Sequence, residues 1–252
     1  MKSVFAQTHR GRLELALAAV LYGLYEIVRG FASDSYELAR AHTDSIVAFE
    51  RSLGLFWERD LQAAAERVPF LPSALGAAYI TLHFGATAVA LVWVYRAHRD
   101  RFALVRNTLV ASTALSLAVY VLYPVAPPRL ADLGLADMVT DRTGLNLSSD
   151  LLGSLYNPYA AVPSLHLGYA LIVGLALAHL GRSRLTRAAG LAYAPFMAFV
   201  IVATGNHFLF DALAGALVVA AGYAVARASE VRATAPQNTG YPHSAVARAL
   251  RA

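Results

Sequence analysis

Residues 205–211 read Gly-Asn-His-Phe-Leu-Phe-Asp, and they open the last long apolar run of the chain, which extends to Ala226. His207 and Asp211 are four positions apart, so on a helix they would lie one turn apart on the same face. A carboxylate that hydrogen-bonds one imidazole nitrogen fixes the tautomer and leaves the other nitrogen free to attack an electrophile or to bind a metal. The same pair also fits a plain polar contact between two helices.

The composition around this stretch is that of a membrane protein. The chain has 252 residues, 58% of them hydrophobic, and its apolar segments exceed what a soluble core of this size needs. The absence of cysteine excludes thiolate nucleophiles and Cys-ligated zinc. The net charge of +5 comes from basic residues between the apolar runs, which indicates membrane topology and not a nucleic-acid partner. We predict an all-α polytopic membrane protein, a bundle of six transmembrane helices at residues 13–31, 74–95, 104–125, 164–180, 188–204 and 207–226.

The distribution of arginine predicts the orientation. Basic residues concentrate before the first span, between spans two and three, between spans four and five, and after span six. The positive-inside rule then places both termini on the cytoplasmic side of a bacterial plasma membrane, with Arg129, the start of span four and residues 205–207 on the outer face. Between spans one and two, apolar residues recur at helical spacing from Ile46 to Ala64 with charges on the other face. This pattern predicts one amphipathic helix in the outer interface, or alternatively a soluble helix that caps the bundle. The predicted organisation is a first span and amphipathic region at 1–73, a membrane core at 74–227 and a disordered cytoplasmic tail at 228–252.

Two further segments would meet on the outer face. Residues 123–130 read Tyr-Pro-Val-Ala-Pro-Pro-Arg-Leu, and the prolines end the helix and present Arg129 on a stiff segment suited to bidentate phosphate binding. Ser164 is a predicted N-cap of span four, with Leu165 and His166 in the first turn, where unpaired N–H groups and the helix dipole favour an anion. His166 there is suited to general acid catalysis. The alternatives are an arginine at the headgroup level and a capping serine followed by an interfacial histidine.

Together these segments resemble the signatures of the type 2 phosphatidic acid phosphatase (PAP2) superfamily. Pro163-Ser164-x-His166, followed about forty residues later by His207-x-x-x-Asp211, is similar to the second and third signatures. Pro-Pro-Arg-Leu at 127–130 is similar to the first signature of the inositol-phosphotransferase branch, which includes fungal inositol phosphorylceramide synthase. The resemblance covers roughly residues 74–226.

Two departures from the phosphatase pattern remove positive charge from the expected phosphate pocket. That pattern has a lysine several residues before the first arginine, but residues 118–126 contain none. It also has an arginine six residues before the third-signature histidine, where this chain has Ile201. Both departures favour the phosphotransferase-like branch, or a phosphodiester or weakly charged phosphate as substrate.

The resemblance implies a metal-independent phosphoesterase or phosphotransferase without a cofactor. His207 would be the nucleophile and form a phosphohistidine, Asp211 would orient it, and His166 would protonate the leaving oxygen and then activate the acceptor. The phosphate oxygens would be held by Arg129, Ser164 and the N–H groups near Leu165. The substrate would be a membrane lipid of the phospholipid or polyprenyl phosphate type. The acceptor would be water or an alcohol, which could be a polyol such as inositol.

Other interpretations remain open at this point. His83, within span two, could touch the substrate headgroup, or it could make a polar contact between helices. The whole set of polar residues could serve a non-catalytic protein that binds or transports lipid headgroups. A metal site of His166, His207 and Asp211 is a weaker third option, because an arginine would sit beside a cation. Small residues such as Gly215 could pack within the bundle or between protomers, so an oligomer is possible.

Overall fold

The computed structural model describes residues 36–144 and 157–234, together with a few helical residues between 16 and 27. In these ranges the regular structure is helical, apart from one isolated bridge between Val125 and Ala160, and the all-α prediction is confirmed. Most of the first predicted span, at 13–31, lies outside the described residues. The helices in chain order are α1 (Tyr36–Ser52), α2 (Glu58–Glu66), α3 (Leu71–Ala97), α4 (Arg99–Leu122), a 3₁₀ turn (Pro128–Leu130), α5 (Met138–Thr143), α6 (Leu165–Leu180), α7 (Arg184–Ala203) and α8 (Leu209–Thr234).

Four of these helices are long and apolar enough to cross a membrane, namely α3, α4, α7 and α8, while α6 is apolar but shorter, at 16 residues. Large apolar side chains on the long helices are exposed, as at Leu191 and Leu217, and suit contact with lipid tails. The chain is therefore an integral membrane protein, and the count of six spans stays a prediction.

Two helix ends differ from their predicted positions. Helix α4 ends at Leu122, because Pro124 disfavours helical backbone at the residue before it. Helix α8 continues to Thr234, past the end of its apolar run, so residues 228–234 are helical where a disordered tail was predicted. Residues 235–252 lie outside the described part of the chain.

The predicted single amphipathic helix is in fact two helices. Gly54, with a φ of +68°, lies in the break between α1 and α2. The apolar residues Phe49, Leu53 and Trp57 are exposed, whereas the acidic residue Glu50 is buried. The burial pattern is thus partly the reverse of what amphipathicity suggests.

Helix α1 covers the segments that carry the predicted site. Thr43 donates a hydrogen bond from Oγ1 to the main-chain oxygen of Ala126 at 2.9 Å, and Oγ1 also accepts the N–H of Ala126 at 3.1 Å. Ile46 and Val47 pack in one apolar cluster with Phe208 and with residues on either side of the Val125–Ala160 bridge. Helix α2 joins the larger core through Ala65, beside α3, α5, α6 and α7. The two short helices therefore close one end of the bundle.

Candidate active site

The proline-rich segment after α4 pairs with the segment that leads into α6. The N–H of Val125 donates to the main-chain oxygen of Tyr159 at 2.9 Å, and the N–H of Ala161 donates to that of Val125 at 3.3 Å. These bonds form the parallel bridge between Val125 and Ala160. They bring the first two signatures side by side.

The turn at Gly205 joins these segments to the third signature. The N–H of Arg129 donates to the main-chain oxygen of Gly205, and the N–H of Ser164 donates to that of Asp211, both at 3.0 Å. Gly205 has a φ of +74°, and a Cβ there would lie 2.7 Å from the carbonyl oxygen of Ala136. Both the left-handed conformation and the close approach require glycine. The three signatures are thus tied together by main-chain hydrogen bonds.

His207 lies in the turn before α8 and not on the helix, which begins at Leu209. Asp211 reaches back from the first turn, so that its Oδ2 lies 3.1 Å from Nδ1 of His207 and accepts the N–H of Phe208 at 2.9 Å. Nδ1 also lies 3.0 Å from the main-chain oxygen of Ala161. Because both neighbours are acceptors, Nδ1 carries the hydrogen, and Nε2 keeps its lone pair. The predicted contact between His207 and Asp211 is present, although it is made across a helix start and not along one helix face.

His166 belongs to a stack of four rings. Its ring stacks on those of Tyr79 and His83 with centroid distances of 4.0 Å in each case, and His83 stacks in turn on Tyr169 at 4.9 Å. The rings of His166 and His207 are 5.8 Å apart between centroids. The buried Nδ1 of His83 has no hydrogen-bond partner among the described residues. The stack fixes the plane of His166 and places His83 directly behind it.

The start of α6 is arranged as an anion site would require. Ser164 is the N-cap, and its Oγ accepts the N–H of Leu167 at 3.4 Å. Leu165 and His166 open the helix, so the helical pattern provides no acceptor for their N–H groups. A Cβ at Gly215 would collide with the main-chain oxygen of Ser164, which means that α8 packs directly against this helix start.

Arg129 is buried close to these groups, with a side chain that is 2% exposed. Its Nε lies 3.3 Å from Oδ2 of Asp137, the residue that caps α5. Its charge is close enough to interact with the imidazole of His207. Ile201, where the phosphatase pattern has an arginine, is fully buried in the apolar core. The positive charge of Arg129 is thus partly offset by Asp137, and position 201 adds none.

Two acidic residues to which the sequence pattern assigned no role also meet the start of α8. The N–H of Leu209 donates to Oε1 of Glu58 at 2.9 Å, and that of Phe210 donates to Oε1 of Glu50 at 2.7 Å. Glu50 and Glu58 are 2% and 0% exposed. Burial, assisted by the neighbouring Glu58 carboxylate, raises the pKa of Glu50 to about 8, against the opposing hydrogen bond from Phe210. In the sequence both look like ordinary charges on an amphipathic helix, and no signal separates them from the exposed ones.

The structure brings the predicted site residues to one end of the bundle. Among residues 36–144 and 157–234, no group of three or more His, Asp or Glu side chains is arranged to hold a metal ion. The predicted residues concerned are His207, Asp211, His166, Arg129, Ser164, Leu165 and His83.

Comparison with known proteins agrees with this arrangement. No curated protein is significantly similar in sequence to the chain. The crystal structure of LpxE from Aquifex aeolicus is similar in fold, with a TM-score of 0.51 and 17% sequence identity over 68% of this chain and 92% of that one. The family model of the PAP2 superfamily matches residues 44–225, which include all three signatures, helix α2 and the second half of α1. With most of its length matched, the chain belongs to the PAP2 superfamily.

Proposed function

We propose that this protein is a membrane-embedded phosphoesterase that cleaves a lipid-linked phosphate ester through a phosphohistidine at His207. Membership of the PAP2 superfamily supports a lipid phosphatase. The observation that carries the proposal is the environment of His207, whose Nδ1 is held by Asp211 and by the main-chain oxygen of Ala161. This leaves Nε2 as the nucleophilic atom.

In the first step, Nε2 of His207 attacks phosphorus while the bond from phosphorus to the leaving oxygen breaks. His166 gives its proton to that oxygen, and the product alcohol departs. The positive charge that forms on the His207 ring is stabilised by Asp211, which already accepts its Nδ1 hydrogen. The phosphate oxygens lie against Arg129 and the N–H groups at the start of α6.

In the second step, water or an alcohol attacks the phosphohistidine and gives its proton to His166. The bond between phosphorus and Nε2 breaks, so both histidines return to their starting states. With water the reaction is hydrolysis, and with an alcohol such as inositol it is transfer of the phosphoryl group. His83, stacked behind His166, limits the freedom of the acid, and we propose that it also meets the substrate headgroup.

The charge of the site favours a donor with little negative charge. Arg129 faces Asp137, and position 201 contributes an apolar side chain in place of a cation. A phosphodiester carries one negative charge where a monoester carries up to two, so it matches this weaker positive field better. This supports phosphodiester donors, and transfer to an alcohol, as the second candidate reaction. The alternative is a membrane protein that binds or transports lipid headgroups without turnover.

The proposed setting is a bacterial plasma membrane, with both termini cytoplasmic and the site on the outer face, as the arginine distribution predicts. The lipid would enter laterally, with its headgroup at His207 and its tails in the bilayer. The site residues lie on or directly beside the long apolar helices α3, α4, α7 and α8, which suits a phospholipid or polyprenyl phosphate better than a soluble ester.

The test is turnover by purified protein in EDTA, compared with His207→Ala. Phosphate release would be measured from phosphatidic acid and polyprenyl phosphate, and transfer would be measured from phosphatidylinositol-type donors to labelled inositol. Loss of the nucleophile is expected to reduce the rate at least as much as loss of an acid–base histidine, about 10²–10⁴-fold. With ³²P-labelled donor, wild-type protein should retain alkali-stable label at His207.

Each outcome decides between the candidates. Phosphate release by wild-type protein alone supports a phosphatase, and transfer without release supports a phosphotransferase. Lipid binding by both proteins without turnover of any donor would overturn the enzymatic proposal in favour of the binding protein. Loss of activity in EDTA that zinc or magnesium restores would contradict the metal-independent mechanism.

A further inference from the structure

The start of α8 is held by carboxyl groups from two other helices. Glu58 of α2 accepts the N–H of Leu209, and Glu50 of α1 accepts the N–H of Phe210. These are successive residues of the chain, and they lie two and three positions after His207. Neither carboxylate contacts the imidazole itself in a described hydrogen bond, so any effect on His207 acts through the main chain.

These contacts replace the acceptors that a helix start lacks. The first N–H groups of a helix have no partner within it, and carboxylates are favoured there by the helix dipole. Hydrogen bonds to charged acceptors are also shorter and stronger than those between neutral groups. Together with Asp211, which accepts the N–H of Phe208, three carboxyl groups fix three consecutive N–H groups. The main chain directly after His207 is therefore held at each of the three N–H groups that follow it.

We propose that Glu50 and Glu58 are positioning residues for His207. By fixing the N–H groups of Leu209 and Phe210, they orient the turn from which the imidazole projects. Helices α1 and α2 then belong to the catalytic apparatus and are more than a cover over it. This inference rests on the proposed role of His207 as nucleophile.

A proton on Glu50 explains how the two carboxyl groups can be buried together. Oε2 of Glu50 and Oε2 of Glu58 meet no hydrogen-bond donor among the described residues. The two side chains are close enough to hydrogen-bond, which becomes possible once Glu50 carries a proton. Their charges also face Asp211, at the start of α8. A proton held by Glu50 therefore relieves the repulsion among these buried carboxyl groups.

A glutamine can stand in for the protonated partner. Its amide oxygen can accept the main-chain N–H, and its amide nitrogen can donate to the remaining carboxylate. Alanine at either position removes the acceptor altogether. The pair of substitutions at each site therefore separates the loss of the hydrogen bond from the loss of the charge.

The experiment compares Glu50→Ala, Glu58→Ala, Glu50→Gln and Glu58→Gln with wild-type protein and His207→Ala. The matched control is Ser183→Ala, because Ser183 also accepts a helix-start N–H, that of Thr186 at 3.0 Å, but at the start of α7. Three quantities are measured: kcat and KM on the best lipid phosphate, Tm, and the rate at which diethyl pyrocarbonate modifies His207, read by mass spectrometry. The last readout needs no substrate.

We expect each alanine variant to lose about 10²-fold in kcat with KM little changed, because a displaced nucleophile costs chemistry more than binding. Modification of His207 should become several-fold faster. Each glutamine variant should regain most of the lost kcat. Ser183→Ala should lower Tm without changing kcat or the reactivity of His207.

Alanine variants with a lowered Tm but wild-type kcat and wild-type reactivity of His207 would overturn the proposal and leave the two glutamates a purely structural role. If no lipid phosphate is turned over by wild-type protein, the proposed function fails, while the reactivity of His207 still decides the positioning role. Where an alanine variant does not fold, the aspartate variant, shorter by one methylene group, gives the same comparison.

Discussion

The buried carboxyl of Glu50 should make the protein less stable as pH rises through the neutral range. Its pKa is raised by burial from 4.5 to about 8 in the folded protein. Between these two values the folded state holds a proton that the unfolded state has lost. The free energy of unfolding therefore falls with increasing pH across this window, and the stabilisation present below pH 4.5 is lost by about pH 8.

The size of the effect follows from the shift. One pKa unit corresponds to about 1.4 kcal/mol, so the whole window is worth roughly 5 kcal/mol, of which about 3 kcal/mol falls between pH 6 and pH 9. For a chain of this length, 1 kcal/mol moves Tm by about 2–4 °C. Wild-type protein should therefore melt roughly 6–12 °C lower at pH 9 than at pH 6 from this group alone.

The assay is thermal unfolding in one detergent at constant ionic strength from pH 6 to pH 9, for wild-type protein and Glu50→Gln. The glutamine does not titrate, so it should remove this part of the pH dependence, while the histidines contribute equally to both proteins. The difference between the two Tm curves isolates Glu50. Parallel curves for the two proteins would show that Glu50 does not hold a proton in the folded state and would refute this reasoning.

Two further substitutions and one condition test the packing of α8 against α6, phosphate binding by Arg129 and the independence of the reaction from metal ions. Gly215→Ala places a Cβ against the main-chain oxygen of Ser164, so it should destabilise the protein by about 1–3 kcal/mol and reduce kcat. Gly85 has open space around it, so Gly85→Ala should do neither. Equal Tm and kcat in the two variants would contradict the close packing of α8 on α6. Arg129→Gln removes a charge-assisted contact worth about 1.5–3 kcal/mol, so kcat/KM should fall about 10- to 150-fold, and an unchanged kcat/KM would exclude Arg129 from phosphate binding. Phosphate release by wild-type protein should be as fast in excess EDTA as without it, and a slower rate in EDTA would contradict the proposed mechanism.

The sequence predicted the elements whose chemistry is local. A proline-rich helix end, a serine cap and a histidine four residues from an aspartate can each be recognised within a few positions, and five of the predicted spans coincide with helices of the structure. The same local signals placed His207 on α8, whereas the helix begins two residues later because Asp211 folds back to cap it. Contact between the two side chains could be predicted, but the backbone that makes it could not.

The role of Glu50 and Glu58 could not be predicted because their partners are main-chain groups about 150 positions away. Amphipathicity assumes that charges face water, and on that assumption α1 and α2 form one helix with its acidic face outward. The start of α8 offers a different partner inside the protein, since its N–H groups need acceptors wherever they lie. A buried helix start can therefore stabilise buried acidic residues by hydrogen bonds, and nothing in a single sequence shows which acidic residues these are.

The bonds that hold the three signatures together are independent of the charges that act on the substrate. Val125 pairs with Tyr159 and Ala161, Arg129 with Gly205, and Ser164 with Asp211, in every case through main-chain atoms. The absence of the lysine and arginine of the phosphatase pattern therefore leaves this frame of main-chain hydrogen bonds intact. What changes is the field at the phosphate, because Ile201 is packed in the core and Arg129 faces Asp137. Such a frame can retain its nucleophile and its acid while the charge of the preferred substrate changes, and this is why a weakly charged phosphate is the first donor to test beside phosphatidic acid.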